Sequence, residues 1–171
     1  FIRSAIHRIH SNAQTSNGTC GGIGCGNLPR IVFPEGSSTK ILKALSLVIE
    51  EKICQPILLG YPERVKEKIL SLELDNLGGI PIYRPVEHTH YPKYTEVLFE
   101  RRQRKGVTHN EAERLMADPN YFASMMVSQG DADGMVTGSS MNYGDAVRPI
   151  LQTIGFAKDA VPCGLNAILL E

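Results

Sequence analysis

From Leu28 onward, short apolar runs alternate with longer amphipathic segments along the chain. The apolar runs have the length of buried strands, and the amphipathic segments repeat their apolar residues at helical spacing. The predicted strands are 30–33, 56–60, 80–83, 135–137 and 165–170. The predicted helices begin after Ser37 or Ser38, at Pro62, at Tyr91 (running to Lys105), after Thr108, after Asp118 and near Tyr143 (running to Leu151). This alternation predicts an α/β fold, with a mostly parallel sheet covered by helices on both faces in three layers, α/β/α.

Capping residues support several of these helix boundaries. Thr108 has Glu111 at capping-box spacing, and Asp118 stands immediately before Pro119. Gly106 follows a basic run and suits the left-handed position that ends many helices. The helices on either side of residue 106 are therefore predicted to be separate elements.

Residues 1–27 differ in character from the rest of the chain. They contain no acidic residue, and residues 1–10 repeat apolar side chains at helical spacing, which predicts a short amphipathic helix. Residues 11–27 are rich in Ser, Asn, Thr and Gly and predict a flexible linker. Two interpretations remain: an interdomain helix with a linker, or an organellar transit-like leader, which is also rich in Arg and Ser and poor in acids. The chain is thus divided into 1–27 and 28–171.

Composition narrows the classes of function. The 171 residues are 42% hydrophobic and 21% charged, which is ordinary for one globular domain. Eighteen basic residues balance eighteen acidic ones, so neither a nucleic acid nor an anionic membrane surface is favoured as a partner. No apolar run is long enough to span a bilayer, for which about 18 residues would be needed.

The cysteine pattern bears on compartment and metal binding. Four scattered cysteines favour reduced thiols over a disulfide framework, and therefore a cytoplasmic location, or an organellar one if residues 1–27 are a leader. The spacing of His7, His10, Cys20 and Cys25 fits no common zinc pattern. No metal site is predicted. The glycines within 21–26 follow no strand and open no helix, so they do not predict a dinucleotide site.

The segment 118–155 carries the candidate chemistry. It predicts a helix, a buried strand ending at Thr137, a loop of Gly138, Ser139 and Ser140, and a second helix with Arg148 near its start. Small residues and backbone N–H groups would then lie at the carboxyl end of a strand, where open α/β sheets bind ligands. An anionic small molecule is the expected ligand, because a guanidinium can hold two oxygen atoms at once.

Other interpretations of these residues stay open. An ordinary βα turn also favours Gly and Ser, and Arg148 could be a surface residue of an amphipathic helix. Its place just before Pro149 and after a small-residue loop favours a ligand role. Asp131 and Asp133 suggest a carboxylate pair, although a helix-to-strand turn accounts for them equally well.

Four sequence segments, taken in order, resemble those of a known family. RIVFPEG with PILLG, then RRQRKGVT, then DPNYFASMMVSQGDADGMVTG, then AVRPILQTIG resemble phosphate acetyltransferase across residues 30–170. Three segments resemble one branch of this family, the C-terminal phosphotransacetylase-like domain of bacterial hybrid NADP-dependent malic enzymes. They are DPNYF, NYGDAVRP and GLNAILLE. Residues 1–12 resemble the helix that joins the two halves of those enzymes. Residues 13–27 are longer than the usual joint, so the leader interpretation stays open.

The resemblance implies roles for particular residues. The family arginine of the R-x-x-K-G phrase is Arg102 here, and that of the R-P phrase is Arg148. With Thr137, Gly138 and Ser139 they would bind acyl-CoA, acyl phosphate or phosphate. For Arg102 the alternative is a solvated helix end favoured by the helix dipole. The family's catalytic serine, arginine and aspartate would lie beyond Glu171, so no complete catalytic set is expected here, and 28–171 would be the N-terminal portion of the domain.

Two functions follow from the resemblance. The first is a regulatory acetyl-CoA-binding domain of a malic enzyme that oxidatively decarboxylates malate to pyruvate, with NADP and a divalent metal confined to the other half. The second is part of a catalytic phosphate acetyltransferase. The phrase 142–145, NYGD, differs from the Ser/Thr-Ala-Asp type phrase of the transferases, which favours ligand binding over acetyl transfer. The family also implies a homodimer or higher homo-oligomer. A doubly wound sheet used only for assembly is a third possibility.

Overall fold

Four parallel strands form the sheet at the centre of the computed structural model, which describes residues 28–155. They are β1 (Arg30–Phe33), β2 (Gln55–Leu59), β3 (Ile82–Tyr83) and β4 (Gly134–Met135), in the spatial order β3-β2-β1-β4. Val32 of β1 lies opposite Ile57 of β2 on one side and Met135 of β4 on the other. The predicted parallel α/β fold is confirmed.

Within residues 28–155, six α-helices connect and cover these strands. They are α1 (Thr39–Glu50), α2 (Pro62–Ser71), α3 (Tyr91–Arg102), α4 (His109–Met116), α5 (Pro119–Gln129) and α6 (Tyr143–Thr153). Three 3-10 turns, Asp75–Leu77, Pro85–Glu87 and Gln103–Lys105, complete the regular structure of residues 28–155.

The alternation of side chains along β1 divides the core between the two faces of the sheet. Ile31 and Phe33 join a buried cluster with residues of α1 and α2, such as Leu45. Val32 points to the other face and joins a cluster formed with α3, α4 and α5, in which Phe122 is fully buried. Successive side chains of a strand point to opposite faces, so both faces of β1 need a helical cover. The predicted three layers are therefore present.

Some helix and strand boundaries in the structure differ from the predicted ones. Tyr91–Lys105 is not one α-helix, because the last residues tighten into the 3-10 turn Gln103–Lys105 before Gly106 adopts φ 87°. Strands β3 and β4 are only two residues long: the predicted residues 80–81 and 136–137 lie outside them, and β4 begins at Gly134, one residue before the prediction. The predicted helix 1–10, linker 11–27 and strand 165–170 lie outside the described residues.

Two of three predicted helix caps make a side-chain bond. Thr108 Oγ1 accepts a bond from Glu111 N at 3.3 Å, and Asp118 Oδ1 accepts one from Asn120 N at 2.7 Å, as predicted. Ser38 occupies the N-cap position of α1, but its hydroxyl makes no capping bond. Its backbone instead closes the turn, with its N–H donating to Glu35 O and its carbonyl accepting from Leu42 N. Within residues 28–155, no helix has the length and apolar character needed to cross a membrane.

An ion pair joins the amino ends of the central strands. The Arg30 guanidinium donates to both carboxylate oxygens of Asp133, at 3.3 Å from Nε and 3.1 Å from Nη2, and to Gly130 O at 2.9 Å. The backbones of Arg30 and Asp133 add bonds to this clamp. Burial raises the pKa of Asp133, but the bonds from Arg30 and its positive charge outweigh burial and leave that pKa below its usual value.

The Asp133 clamp gives a pH-dependent prediction. A depressed carboxyl pKa stabilises the fold above the pKa of the unfolded chain, near 4, and this contribution is lost as pH falls through the folded pKa. We expect Asp133→Asn to lower the free energy of unfolding by about 1 kcal/mol at pH 7, since the pair is partly exposed and solvent weakens it. The difference from the unsubstituted chain should shrink on acidification to pH 3, as measured by urea unfolding.

A matched substitution controls for this result. Glu87→Gln removes an acid whose ion pair with Arg84 is more exposed, so its cost should be smaller at pH 7. An Asp133→Asn cost that stays the same from pH 7 to pH 3 would contradict the electrostatic account of the clamp.

Candidate functional site

The loop after β4 is held in place on two sides. Val136 N donates to Val32 O at 3.0 Å, which carries the parallel pairing past the end of β4. Thr137 Oγ1 then donates to Asn120 Oδ1 at 2.7 Å, where Asn120 is buried in the first turn of α5. Gly138 has φ +95°, a left-handed conformation that favours glycine, and its α-carbon faces Ala146 of α6. The end of β4 is therefore fixed against both flanking helices.

The predicted donors of this loop face an acidic side chain of the protein itself. The Glu35 carboxylate accepts bonds from Ser139 N at 2.8 Å, Ser140 N at 2.9 Å and Ser140 Oγ at 2.7 Å. Burial raises the pKa of Glu35, but these bonds outweigh it and hold the pKa below its usual value. The sequence reasoning missed this residue. The signal that could have found it is an acid placed just after β1, the strand beside β4.

The backbone beside Glu35 has little freedom to move. Gly36 N donates to Leu59 O at 3.1 Å, at the carboxyl end of β2. A Cβ at Gly36 would lie 2.5 Å from that same oxygen, which is closer than a real Cβ approaches. The turn therefore requires glycine, and it fixes where the Glu35 side chain begins.

Tyr121 is bonded to α6, the helix that carries one of the two predicted arginines. Tyr121 is buried in the first turn of α5, and its hydroxyl donates to Gln152 Oε1 of α6 at 2.8 Å. Arg148 lies one helical turn before Gln152 and is exposed. Burial raises the pKa of Tyr121; the positive charges of Arg148 and Arg102 act to lower it, and the negative charges of Asp118 and Glu111 act to raise it. Tyr121, which the sequence reasoning did not single out, thus links α5 to α6.

The basic run at the end of α3 divides into residues with different environments. Arg101 is a structural tie, because it donates to Ser128 Oγ at 2.7 Å and to the carbonyl of Thr153. Arg102 is half-buried, and its Nε is buried with no hydrogen-bond partner among residues 28–155. Arg104 and Lys105 are exposed. A buried donor without a partner is costly, so Arg102 is the member of this run best suited to a ligand oxygen.

Asp131 and Asp133 do not form a carboxylate pair. Asp131 accepts a bond from the Tyr94 hydroxyl and lies 3.1 Å from His90 Nδ1, whereas Asp133 binds Arg30. The two acids therefore join different elements to the turn before β4. Of the two interpretations left open by the sequence, the structural turn is the one observed.

A cleft with a volume of about 580 Å³ opens at the opposite, amino edge of the sheet. Its lining is mainly apolar, with Leu28, Ile49 and Ile80 among its residues, but it also includes Lys52, Gln55 and Asn76. Burial raises the pKa of the Cys54 thiol in this lining to about 11. A thiol with such a pKa is a poor nucleophile. The Arg30 side chain at its border is engaged by Asp133. The mainly apolar lining of this cleft suits an apolar group better than a phosphate.

The predicted site residues include two cationic side chains. Arg102 and Arg148 carry guanidinium groups, and Thr137 and Gly138 follow the end of β4. Guanidinium groups bind phosphate and carboxylate oxygens in pairs, which makes an oxyanion or an acyl phosphate a suitable ligand.

Comparisons with known proteins agree with this fold. Residues 24–164 match the family model described as phosphate acetyl/butaryl transferase. The chain is 38% identical to the phosphate acetyltransferase of Bacillus subtilis over 125 residues, which cover 73% of this chain and 38% of that protein. It is 34% identical to a probable NADP-dependent malic enzyme of Rickettsia prowazekii over 129 residues, covering 74% of this chain and 17% of that protein.

A solved structure has the same fold as this chain. The EutD phosphotransacetylase from Staphylococcus aureus superimposes with a TM-score of 0.72 at 28% identity, covering 94% of this chain and 45% of that one. The chain therefore spans less than half the length of each of these three proteins.

Proposed function

The chain belongs to the phosphate acetyl/butaryl transferase family, and from this premise we propose that it forms one wall of a cleft that binds acyl-CoA and phosphate. Arg102 and Arg148 hold the phosphate or acyl phosphate oxygens. Thr137, Gly138 and Ser139 bound the cleft at the carboxyl edge of the sheet. The observation that carries the proposal is the Arg102 Nε, which is buried and lacks a hydrogen-bond partner among residues 28–155.

The first setting for this cleft is regulatory. In a hybrid malic enzyme, acetyl-CoA bound here would lower the oxidative decarboxylation of malate, with NADP and the divalent metal held in the other half of the protein. The similarity to the Rickettsia prowazekii malic enzyme supports this setting, as does the NYGD phrase at the entry to α6.

The second setting is catalytic, and the similarity to the Bacillus subtilis phosphate acetyltransferase supports it equally. A coenzyme A thiolate would attack the carbonyl carbon of acetyl phosphate, forming the thioester bond and breaking the bond from that carbon to the phosphate oxygen. The arginines would stabilise the charge of the departing phosphate. In either setting we expect a homodimer or higher homo-oligomer.

One experiment separates the two settings. Acetyl-CoA binding to the complete protein is measured by calorimetry, and acetyl-CoA formation from acetyl phosphate and coenzyme A is assayed in parallel. Binding without turnover, together with lower malate oxidation, supports the regulatory setting. Turnover supports the transferase. A protein that shows neither binding nor turnover would contradict the proposed cleft.

A further inference from the structure

The 138–140 loop presents its donors to a partner inside the protein. Ser139 N, Ser140 N and Ser140 Oγ converge on the two oxygens of one carboxylate, that of Glu35, at 2.7–2.9 Å. Backbone N–H groups that converge in this way form a concave site that suits a small anion. The loop is therefore an anion site whose occupant is a side chain of the same chain.

Glu35 has an advantage over any dissolved anion at this position. Its backbone is fixed by Gly36, which has no room for a Cβ against Leu59 O, and β1 delivers the side chain next to the end of β4. A tethered group competes at a high effective concentration, and a second anion would also meet the repulsion of the carboxylate. Ionised Glu35 is therefore expected to exclude phosphate from the loop.

We propose that Glu35 is a positioning residue that fills this internal anion site, shapes the 138–140 loop and directs the anionic ligand to Arg102 and Arg148. The direction of the ligand rests on the proposed function, whereas the filling of the loop does not. Glu35 acts through the loop and does not touch the ligand.

The loop itself is tested first, with formate and inorganic phosphate as probes. The amide signals of Ser139 and Ser140 are followed by NMR in the full chain and in Glu35→Ala, at constant ionic strength. Formate and phosphate should each shift both signals in Glu35→Ala and leave them unchanged in the unsubstituted chain. The proposal is overturned if the variant does not respond, or if the unsubstituted chain responds equally.

A second variant keeps the test valid if Glu35→Ala does not fold. Glu35→Gln has nearly the same size but keeps only one amide oxygen as an acceptor and loses the charge. We expect hydrogen exchange at Ser139 and Ser140 to become about tenfold faster, because their bonds to a charged acceptor are weakened. Unchanged exchange at both residues would also overturn the proposal.

The effect of Glu35 on ligand binding and turnover is measured in the complete protein. In Glu35→Ala, the KM for phosphate, or the Kd for acetyl-CoA where there is no turnover, should rise about tenfold with a smaller change in kcat. Formate should reverse much of this loss, a rescue that a purely packing role would not give. Glu87→Ala, which removes an exposed acid from an ion pair with Arg84, is the matched control and should change neither value.

The outcomes separate this inference from the proposed function. If the unsubstituted protein neither binds acetyl-CoA nor turns over, the proposed function fails, while the NMR titration still reports on the loop. If the unsubstituted protein binds acetyl-CoA and the losses in Glu35→Ala are not reversed by formate, the positioning role is wrong and the cleft stands.

Discussion

Replacing Arg148 by alanine should weaken the binding of acetyl-CoA or phosphate to the complete protein by about 10- to 100-fold. Hydrogen bonds to charged groups contribute about 1.5–3 kcal/mol, and each 1.4 kcal/mol is a factor of about ten in affinity. If the protein is a transferase, kcat should fall by about 10²- to 10³-fold, because the charge of the departing phosphate loses a fixed donor. Calorimetry and the acetyl phosphate assay measure these two effects.

The controls for this prediction separate charge, geometry and folding. Arg148→Lys keeps the charge but loses the planar fork. Its affinity for the ligand should therefore lie between those of Arg148→Ala and the unsubstituted protein. Arg114→Ala removes an exposed arginine from α4 and should leave binding unchanged. Arg148 is exposed, so its replacement should change the free energy of unfolding by less than about 0.5 kcal/mol. If Arg148→Ala binds the ligand with full affinity, Arg148 is not part of the ligand site.

Replacing Phe122 by alanine should have the largest effect on stability, lowering the free energy of unfolding by about 3–5 kcal/mol. Phe122 is fully buried on the α3–α5 side of the sheet, and its ring lies 5.2 Å from those of both Tyr94 and His88. Its loss leaves a cavity that well-packed neighbours cannot fill completely. Urea unfolding of the full chain measures the change.

An exposed aromatic residue provides the comparison. Tyr143 is 79% exposed at the start of α6, so Tyr143→Ala removes a ring of similar size without opening a cavity. Its cost should be well below 1 kcal/mol. If the two substitutions cost the same, the assignment of Phe122 to the centre of the core is wrong.

Local patterns in the sequence predict most of the fold. The alternation of side chains in β1 places Ile31 and Phe33 on one face and Val32 on the other, which requires helices on both faces. The caps at Thr108 and Asp118 were predicted for the same reason, since each cap bond joins residues two or three positions apart. Interactions of this range are visible in a single sequence.

Contacts between distant residues decide the details of the site, and these were not predictable. The Glu35 carboxylate and the Ser140 amide lie 105 positions apart in the sequence, and the Tyr121 hydroxyl meets Gln152 from 31 positions away. The sequence shows that Glu35 follows one strand and Ser140 another. Only the strand order, which makes β1 and β4 neighbours, brings them together.

The sequence also does not show which of two adjacent, identical residues has a structural role. Arg101 and Arg102 are adjacent and chemically identical, yet Arg101 ties α3 to the carbonyl of Thr153 while the Arg102 Nε has no partner among residues 28–155. Helix geometry points successive side chains in directions about 100° apart, so the packing around each one decides its role. A family resemblance selects Arg102 where the local pattern alone does not.

The position of the ligand is the central claim, and hydrogen exchange of the complete protein with and without acetyl-CoA tests it most directly. Binding at the carboxyl edge should slow exchange in α6 (Tyr143–Thr153), with little change in the amides around Cys54 and Ile80 at the amino edge. The amides of Ser139 and Ser140, already bonded to Glu35, should change little. Slower exchange confined to the amino-edge cleft, with α6 unchanged, would contradict the assignment of Arg102 and Arg148 to the ligand site.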